Sequence, residues 1–335
     1  MISPRLVSWR RLVAIGLLSA VTACAGGPSG PIPYQPAVDG WIPAPSSTRP
    51  VGLGLPGGAA LADGVTFAGG VELIVDPASP LRSLSDFKLT GDGGFVTVSD
   101  AGDLARGRLT LDAAGRLTGL TGLSFRRLTL ADGQPIQDKA DGDAEGLALL
   151  DDGRLLVSFE RIHRIWDYGR LPALNARPVA VRMPDAVFPE NDGMEGLATS
   201  HDGRGWRATG ENGGVWDCTP VRCRQVQAPP DPPLTDRHYR ITGMDRDPAG
   251  DGWFVIQRSY SPPIDARARV RRMAADGSLG PVLIELKLPG TTDNFEGVAA
   301  EAREGRTRLY ILSDDNNNPA QRTLLLAFDL SPSGS

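Results

Sequence analysis

Apolar and polar residues alternate in short runs along most of the chain, and many of these runs come in pairs joined by an acidic residue and a glycine. These joining dipeptides are Asp92-Gly93, Asp152-Gly153, Asp202-Gly203, Asp251-Gly252 and Glu304-Gly305. An acidic residue followed by glycine between two alternating runs predicts a β-hairpin. Hairpins that recur in this way indicate an all-β protein built from one repeated unit.

Each hairpin opens with a similar short motif and ends in a charged residue. Three of the first strands open with Glu-Gly, at Glu145, Glu195 and Glu296, and the other two open with Ser85-Asp86 and Thr242-Gly243. The closing positions lie 60, 51, 47 and 56 residues apart and are Asp100, Glu160, Glu211, Arg258 and Asp314. This period is typical of the four-stranded blade of a β-propeller.

The repeats predict five blades, although the interval of 60 residues leaves room for a sixth. After Asp314 the chain offers one further strand, Thr323–Leu330. We expect the missing outer strand of that blade to be Phe67–Val75, so that pairing of the two ends of the domain closes the ring and removes its sheet edges. The predicted fold class is therefore an all-β propeller that occupies residues 67–335.

The first 23 residues have the pattern of an export signal. Three arginines precede the apolar run Leu12–Ala23, which is too short to span a bilayer. The run ends in Val21-Thr22-Ala23-Cys24, which resembles a bacterial lipobox, so we expect Cys24 to be lipidated; ordinary signal cleavage near an unrelated cysteine is the alternative. Residues 24–66 are rich in proline and glycine and are expected to form a tether. The expected location is the cell envelope or periplasm, with the lipid anchor as the only membrane contact.

The composition narrows the possible functions. Lys and Arg total 35 against 40 Asp and Glu, which gives a net charge of −5 with no basic stripe, and this argues against nucleic-acid binding. The three Cys and three His lack the spacing of a zinc site. In an oxidising compartment Cys218 and Cys223 are a candidate structural disulfide, whereas a pair of metal ligands would lack further partners nearby.

The innermost strands of a propeller line a central channel, so Glu145, Glu195 and Glu296 are expected at one mouth of that channel. Carboxylate oxygens are ligands for Ca²⁺ or Mg²⁺. We therefore predict a divalent-cation site, with Ca²⁺ favoured and Asp314 as a further ligand. The alternative is that these glutamates only satisfy nearby backbone amides, and that Asp314-Asp315-Asn316-Asn317 forms Asx turns. A looser cation site that uses Asp143 and Glu145 is also open.

The residues that close the hairpins are expected to form a second tier, one strand further out. Glu160 and Glu211 are its candidate catalytic carboxylates. Arg258 is the one cation at a position that is acidic in the other repeats. Since several carboxylates in a narrow space need a counter-charge, Arg258 is the third candidate catalytic residue.

The recurring Glu-Gly-Leu-Ala and Asp-Gly pattern, together with Asp314-Asp315-Asn316-Asn317, resembles the bacterial phytase-like family, which is described as having a phytase-associated esterase-like activity. The likeness covers Phe67–Leu330. It implies a propeller, often exported, that hydrolyses an ester or a phosphoester.

The residues themselves restrict the chemistry of such a hydrolase. No Gly-x-Ser-x-Gly motif is present in the sequence, so a conventional serine esterase is not expected. A metal-activated water with a carboxylate base is the chemistry that remains. We expect a monomer that acts on a small-molecule ester or phosphoester, and phytate is disfavoured because a dense polyanion would meet a carboxylate-rich channel. The alternative is a non-catalytic binding or scaffold propeller at the cell envelope.

Overall fold

The computed structural model describes residues 40–171, 173–262 and 264–332. The predicted signal segment, Cys24 and the beginning of the predicted tether lie outside the described residues. Within them the chain is all-β, with one short helix, α1 (Lys139–Gly142). No helix there combines the length and the apolar character that crossing a membrane requires.

Most of the described strands form meanders, in which each strand pairs antiparallel with the next. Four strands come first: β1 (Ile42–Pro43), β2 (Ser46–Pro50), β3 (Ala59–Leu61) and β4 (Val65–Val75). Meander 1 contains β5 (Leu84–Gly91), β6 (Gly94–Ser99), β7 (Asp103–Leu111) and β8 (Leu117–Arg127). Meander 2 contains β9 (Ala144–Leu149), β10 (Arg154–Phe159), β11 (Arg164–Arg170) and β12 (Ala173–Ala180). Meander 3 contains β13 (Gly196–Thr199), β14 (Trp206–Thr209), β15 (Val215–Cys218) and β16 (Cys223–Gln227).

Meander 4 contains β17 (Arg240–Arg246), β18 (Trp253–Ser261), β19 (Asp265–Met273) and β20 (Leu279–Lys287). Meander 5 contains β21 (Asn294–Arg303), β22 (Arg306–Asp314) and β23 (Thr323–Leu330), and β4 from the start of the domain pairs antiparallel with β23 as its fourth strand. The first strands β5, β9, β13, β17 and β21 contact one another in that order, and β21 also contacts β5. The arrangement is therefore barrel-like and nearly closed.

The predicted hairpin turns lie where the sequence places them. Asp92-Gly93 joins β5 to β6 with φ of 50° and 78°, and Glu304-Gly305 joins β21 to β22 with φ of 50° and 74°. Positive φ at both central residues is the two-residue turn whose twist matches that of paired strands, and it explains the glycine at the second position.

Apolar side chains fill the spaces between neighbouring meanders. Every hydrophobic cluster of the described residues joins two consecutive meanders, for instance Phe87 with Tyr310, Val98 with Leu147, Leu156 with Trp206, Ala198 with Val255, and Ile256 with Ile311. Apolar side chains on both faces of each meander therefore pack against the neighbouring meanders, and the first strands are held together at the centre.

Part of the segment expected to be a tether is folded onto the domain. β1 pairs with β8, β2 with β4, and β3 with β20. The proline content of this segment predicted a tether. Pro43 and Pro50 nevertheless lie at strand ends, where the missing backbone N–H is tolerated. The folded domain thus begins before residue 66, which corrects the expected boundary.

The predicted disulfide is confirmed. Cys218 and Cys223 are bonded and lie opposite each other in the β15–β16 pair. The bond closes the outermost hairpin of meander 3.

Candidate metal centre

In four of the five meanders, the residue that opens the first strand is the extra residue of a β-bulge. In the β9–β10 pair Ala144 lies opposite Phe159 and Gly146 opposite Ser158, so Glu145 is the extra residue. The same irregularity isolates Ser85, Thr242 and Glu296 in their pairs, whereas Glu195 directly precedes β13. A bulge redirects the side chain of its extra residue and is frequent beside functional sites. The repeated motif therefore places one side chain per meander at the same end of the first strands.

The glycine after these positions permits close contact between first strands. A Cβ on Gly146 would stand 2.7 Å from the backbone oxygen of Glu195, and a Cβ on Gly243 would stand 2.0 Å from that of Glu296. Any side chain would push the neighbouring strand away. These glycines thus set the spacing between the strands that carry the glutamates.

Two groups of three acidic residues form at this end of the strands. Asp143, Glu145 and Glu160 each offer a carboxylate oxygen, and these oxygens lie within 4.8 Å of one another. Glu160, Glu195 and Glu211 form a second group within the same limit. Glu160, at the end of β10, belongs to both groups and therefore links the carboxylates of meander 2 to those of meander 3.

Asp143 is already compensated by cations. Its carboxylate accepts a hydrogen bond of 2.5 Å from Arg161 Nε and lies 3.2 Å from Lys139 Nζ. Lys139 also contacts Asp100 at 2.5 Å. Burial alone would lower the pKa of Lys139, but Asp100 and Asp143 together raise it, so this lysine is a fixed positive charge.

Glu211 is compensated in the same way. Its Oε1 lies 2.7 Å from Arg240 Nη2 and 3.3 Å from Arg258 Nη2. Arg240 in addition contacts Asp192 at 2.7 Å and Asp236 at 2.5 Å. Burial raises the pKa of Glu211 to about 7, and the two arginines oppose that rise.

No lysine or arginine of the described residues forms a salt bridge with the other three carboxylates of these groups. Cations act on them from further away: Lys139 on Glu145, Arg161 on Glu160, and Arg258 on Glu195. Glu160 in addition accepts a hydrogen bond of 3.0 Å from the backbone N–H of Gly193. Glu160 is 8% exposed and Glu195 5% exposed. These three carboxylates are therefore compensated less directly than Asp143 and Glu211.

Burial and mutual repulsion make the charged state of these carboxylates costly. Burial, followed by the charges of Asp143 and Glu211, raises the pKa of Glu160 to about 8. Burial is also the main cause that raises the pKa of Glu145 and of Glu195 well above the ordinary range, with neighbouring carboxylates adding to it. A bound proton or a bound cation relieves this kind of repulsion.

Glu296 and Asp314, which the sequence assigned to the same metal site, lie in neither acidic group. Glu296 accepts a hydrogen bond of 2.7 Å from Asn294 Nδ2 and lies 3.5 Å from Arg258 Nη1. Asp314 accepts a hydrogen bond of 2.6 Å from the backbone N–H of Asn316, which is an Asx turn. The assignment of Glu296 and Asp314 to the metal stays a prediction: the two acidic groups share Glu160 and include neither residue, but the charge of Glu296 still acts on Glu145 and Glu195.

Arg258 lies where the sequence placed the counter-charge. Its guanidinium contacts both Glu211 and Glu296 and donates a hydrogen bond to Asn294. It joins meanders 3, 4 and 5.

Sequence reasoning missed the cations Lys139, Arg161 and Arg240, which lie outside the repeated motif. It also missed a buried ion pair further along the first strand of meander 1, in which Lys88 Nζ lies 2.6 Å from Asp86 Oδ2. The only available signal for this pair was the departure of Asp86 from the glycine of the other repeats.

The chain belongs to the phytase-like family, described as having the esterase-like activity of phytase, whose family model matches residues 79–317. No curated protein matches the chain. Among solved structures, it is similar to the PQQ-bound aldose sugar dehydrogenase of Streptomyces coelicolor, at 12% identity over 85% of this chain and 99% of that chain with a TM-score of 0.42.

Two other solved structures are similar at the same level. A putative gluconolactonase shares 14% identity over 90% of this chain and 99% of that chain, with a TM-score of 0.46. A putative oxidoreductase (glucose dehydrogenase) of Thermus thermophilus shares 11% identity over 74% of this chain and 97% of that chain, with a TM-score of 0.40. Similarities this distant do not bear on activity.

Proposed function

We propose that the protein is a metal-dependent hydrolase of small neutral esters, with a divalent cation, Ca²⁺ in the first instance, bound by Glu145, Glu160 and Glu195. The observation that carries this proposal is the contrast between these three carboxylates and their neighbours. Asp143 and Glu211 form direct salt bridges with cations, whereas the three glutamates between them form none among the described residues.

The donor set fits a hard cation. Carboxylate oxygens are the ligands that Ca²⁺ and Mg²⁺ take, completed by water or carbonyl oxygens. Buried carboxylates without a salt bridge are destabilising, and a bound cation lowers that cost for all three. Glu145 and Glu195 fall in different acidic groups, and Glu160 is the one residue that both groups share, so we take it as the central ligand.

A bound divalent cation supplies Lewis-acid chemistry for hydrolysis. Glu211 is the residue suited to accept a proton during the reaction, because its pKa of about 7 is close to neutral pH. Arg240 and Arg258 fix its carboxylate in place. Arg258 also limits the repulsion between Glu211 and Glu296.

The charges around the site favour a neutral substrate over an anionic one. Each described cation of the site already contacts one or more carboxylates, and these cations are Lys139, Arg161, Arg240 and Arg258. A phosphate group would have to displace one of these pairs and would face the carboxylates directly. A carboxylic ester or a lactone avoids both costs, so we propose these substrates ahead of phosphoesters.

The proposed scaffold is a five-bladed propeller in which each meander is one blade. Three observations support it: the cyclic contacts of the first strands, the apolar clusters between consecutive meanders, and the pairing of β4 with β23. In this fold the cation site lies at one mouth of the central channel, where a substrate can enter.

We further propose that the chain is exported, anchored through a lipid on Cys24 and active as a monomer at the cell envelope. The apolar run that ends at Cys24 supports the anchor, and the Cys218–Cys223 bond suits an oxidising compartment. Cys24→Ser should move the protein from the membrane fraction to the soluble periplasmic fraction. Wild-type protein that is already soluble and of unmodified mass would contradict the anchor.

The test of the activity is hydrolysis of p-nitrophenyl acetate and p-nitrophenyl phosphate by the purified protein, with Ca²⁺ or Mg²⁺ and with a chelator. We expect cation-dependent hydrolysis of the acetate that falls about 100-fold in Glu160→Gln, as for loss of a central ligand. The matched control is Glu304→Gln, whose side chain is 83% exposed.

Hydrolysis that survives both the chelator and Glu160→Gln would overturn the mechanism. Faster hydrolysis of the phosphate would overturn the choice of a neutral ester. Cation binding without hydrolysis across a panel of esters and lactones would indicate a binding or scaffold propeller instead.

A further inference from the structure

The first strand of meander 1 departs from the other repeats at two positions. Four first strands have glycine at one position, at Gly146, Gly196, Gly243 and Gly297, where meander 1 has Asp86. Two residues further on, three of them have alanine, at Ala148, Ala198 and Ala299, where meander 1 has Lys88. In meander 1 an aspartate and a lysine thus replace two small residues.

These two residues form a fully buried ion pair. Asp86 is 0% exposed and Lys88 is 3% exposed. Lys88 Nζ lies 2.8 Å from Asp86 Oδ1 and 2.6 Å from Oδ2. Replacing a buried ion pair with apolar residues is often neutral or stabilising. Because three other repeats pack with glycine and alanine at these positions, stability alone does not account for the pair.

The ion pair is hydrogen-bonded to β9, the strand that carries Glu145. Asp86 Oδ2 accepts a hydrogen bond of 2.7 Å from the backbone N–H of Leu147, two residues after Glu145 on β9. Asp86 also accepts a hydrogen bond of 2.7 Å from the backbone N–H of Phe87. Its carboxylate therefore bridges β5 and β9, and Lys88 holds it in that position.

This junction differs from its neighbours in how the strands meet. A Cβ on Gly146 would collide with the backbone of Glu195, and a Cβ on Gly297 would stand 3.0 Å from the backbone nitrogen of Phe87. Between β9 and β13, and between β21 and β5, backbone thus lies against backbone. Between β5 and β9 the Asp86 carboxylate accepts the Leu147 amide, so these two strands are also joined through a side chain.

We propose that Asp86 and Lys88 are positioning residues for the cation site: they fix β9, and with it Glu145, against the strand of Glu195. This inference rests on the proposed function, since it assigns the pair to the same site. Without the pair, the Leu147 amide loses its partner, and β9 is free to shift and to move Glu145 relative to Glu195.

The variant that tests this carries Asp86→Gly with Lys88→Ala and gives meander 1 the small residues of the other repeats. The matched control is Asp329→Asn. Asp329 accepts hydrogen bonds of 2.5 Å and 2.9 Å from Arg308 and so is also half of an ion pair between strands, but it joins β23 to β22, outside both acidic groups.

The readouts are the apparent affinity for Ca²⁺, measured from thermal stabilisation of the full chain, and the rate of cation-dependent ester hydrolysis. We expect the Asp86→Gly and Lys88→Ala double variant to fold and to bind Ca²⁺ about 10-fold more weakly or worse, as is usual when support of a ligand is lost. Asp329→Asn should bind Ca²⁺ like the wild type.

If the double variant does not fold, Asp86→Asn, which keeps an acceptor for the Leu147 amide but removes the charge that holds Lys88, takes its place, and weaker Ca²⁺ binding is again expected. Wild-type affinity in either folded variant, or equal weakening in Asp329→Asn, would overturn the positioning role while leaving the proposed function intact. A wild type without any response to Ca²⁺ would overturn both.

Discussion

Gly146 lies directly against the backbone of Glu195, so that a methyl group on Gly146 would stand 2.7 Å from the Glu195 carbonyl oxygen and 2.6 Å from Ser158 Oγ. Ser158 cannot simply turn away, because its Oγ donates a hydrogen bond of 2.7 Å to the carbonyl oxygen of Met194. The contact joins two meanders at the point where two carboxylates of the site meet. The glycine of the repeated motif is thus a spacing element of the site.

Gly146→Ala should therefore lower both stability and cation binding. Overpacking of this kind costs about 1–3 kcal/mol of unfolding free energy, and the shift of Glu195 should weaken thermal stabilisation by Ca²⁺. Urea unfolding and Ca²⁺-dependent melting measure the two effects. Gly52→Ala is the control, because a Cβ there meets nothing within 4 Å. Equal behaviour of the two variants would contradict the spacing role.

The metal-free protein should lose stability as the pH rises. The pKa of Glu160 is raised from 4.5 to about 8 in the folded chain, so the folded state binds more protons than the unfolded state between these values, and stability falls with increasing pH across that window. In the presence of a chelator, the melting temperature should be lower at about pH 8 than at about pH 5.

Glu160→Gln and Ca²⁺ should each reduce this pH dependence, the first by removing the charge and the second by neutralising it. Melting curves recorded across the pH range with chelator and with Ca²⁺ check this. A metal-free protein whose melting temperature rises with pH over the same range would contradict the proposed electrostatics.

Arg258→Met should destabilise the protein in a pH-dependent way. The substitution leaves Glu211 and Glu296 without this cation, and breaking a buried pair costs about 3–5 kcal/mol while the carboxylates are charged. Burial raises the pKa of each of the two to about 7, so protonation at lower pH should relieve part of the loss. Urea unfolding below and above neutral pH measures the difference. An equal loss at both would show that Arg258 stabilises by packing instead.

Removal of the disulfide should have a small effect that is confined to stability. The Cys218–Cys223 bond closes a short loop in a hairpin whose strands are already paired, and a loop of this length contributes at most about 2 kcal/mol. Replacing both cysteines by serine should lower the melting temperature slightly and leave Ca²⁺ binding unchanged. Loss of Ca²⁺ binding in this variant would give the bond a role in the site.

Most of the strand order could be predicted from the sequence, because the repeated signal is local. Alternation with an acid–glycine turn predicts each hairpin, and the apolar run Phe67–Val75 lies within β4, which pairs with β23. The strands near the start of the domain were missed because β1 and β2 include prolines, which mark edge strands as well as tethers.

The site could be predicted only in part. The recurring Glu-Gly motif identifies Glu145 and Glu195, but the spacing along the chain does not say which carboxylates meet across two meanders. Bulges that redirect the glutamates, and partners such as Asn294 and Arg240, decide this grouping, and each depends on tertiary contacts. The assignment of Glu296 to the metal therefore stays a prediction, since Asn294 and Arg258 engage its carboxylate while its charge still acts on Glu145 and Glu195.

The central claim is that Glu160 organises a single cation site with Glu145 and Glu195. Its most direct test is calorimetric titration of Ca²⁺ into chelator-treated wild type, Glu160→Gln and the exposed control Glu304→Gln. We predict one Ca²⁺ per chain for wild type and for Glu304→Gln, and no measurable binding to Glu160→Gln. Absence of binding to the wild type, or unchanged binding to Glu160→Gln, would contradict the claim.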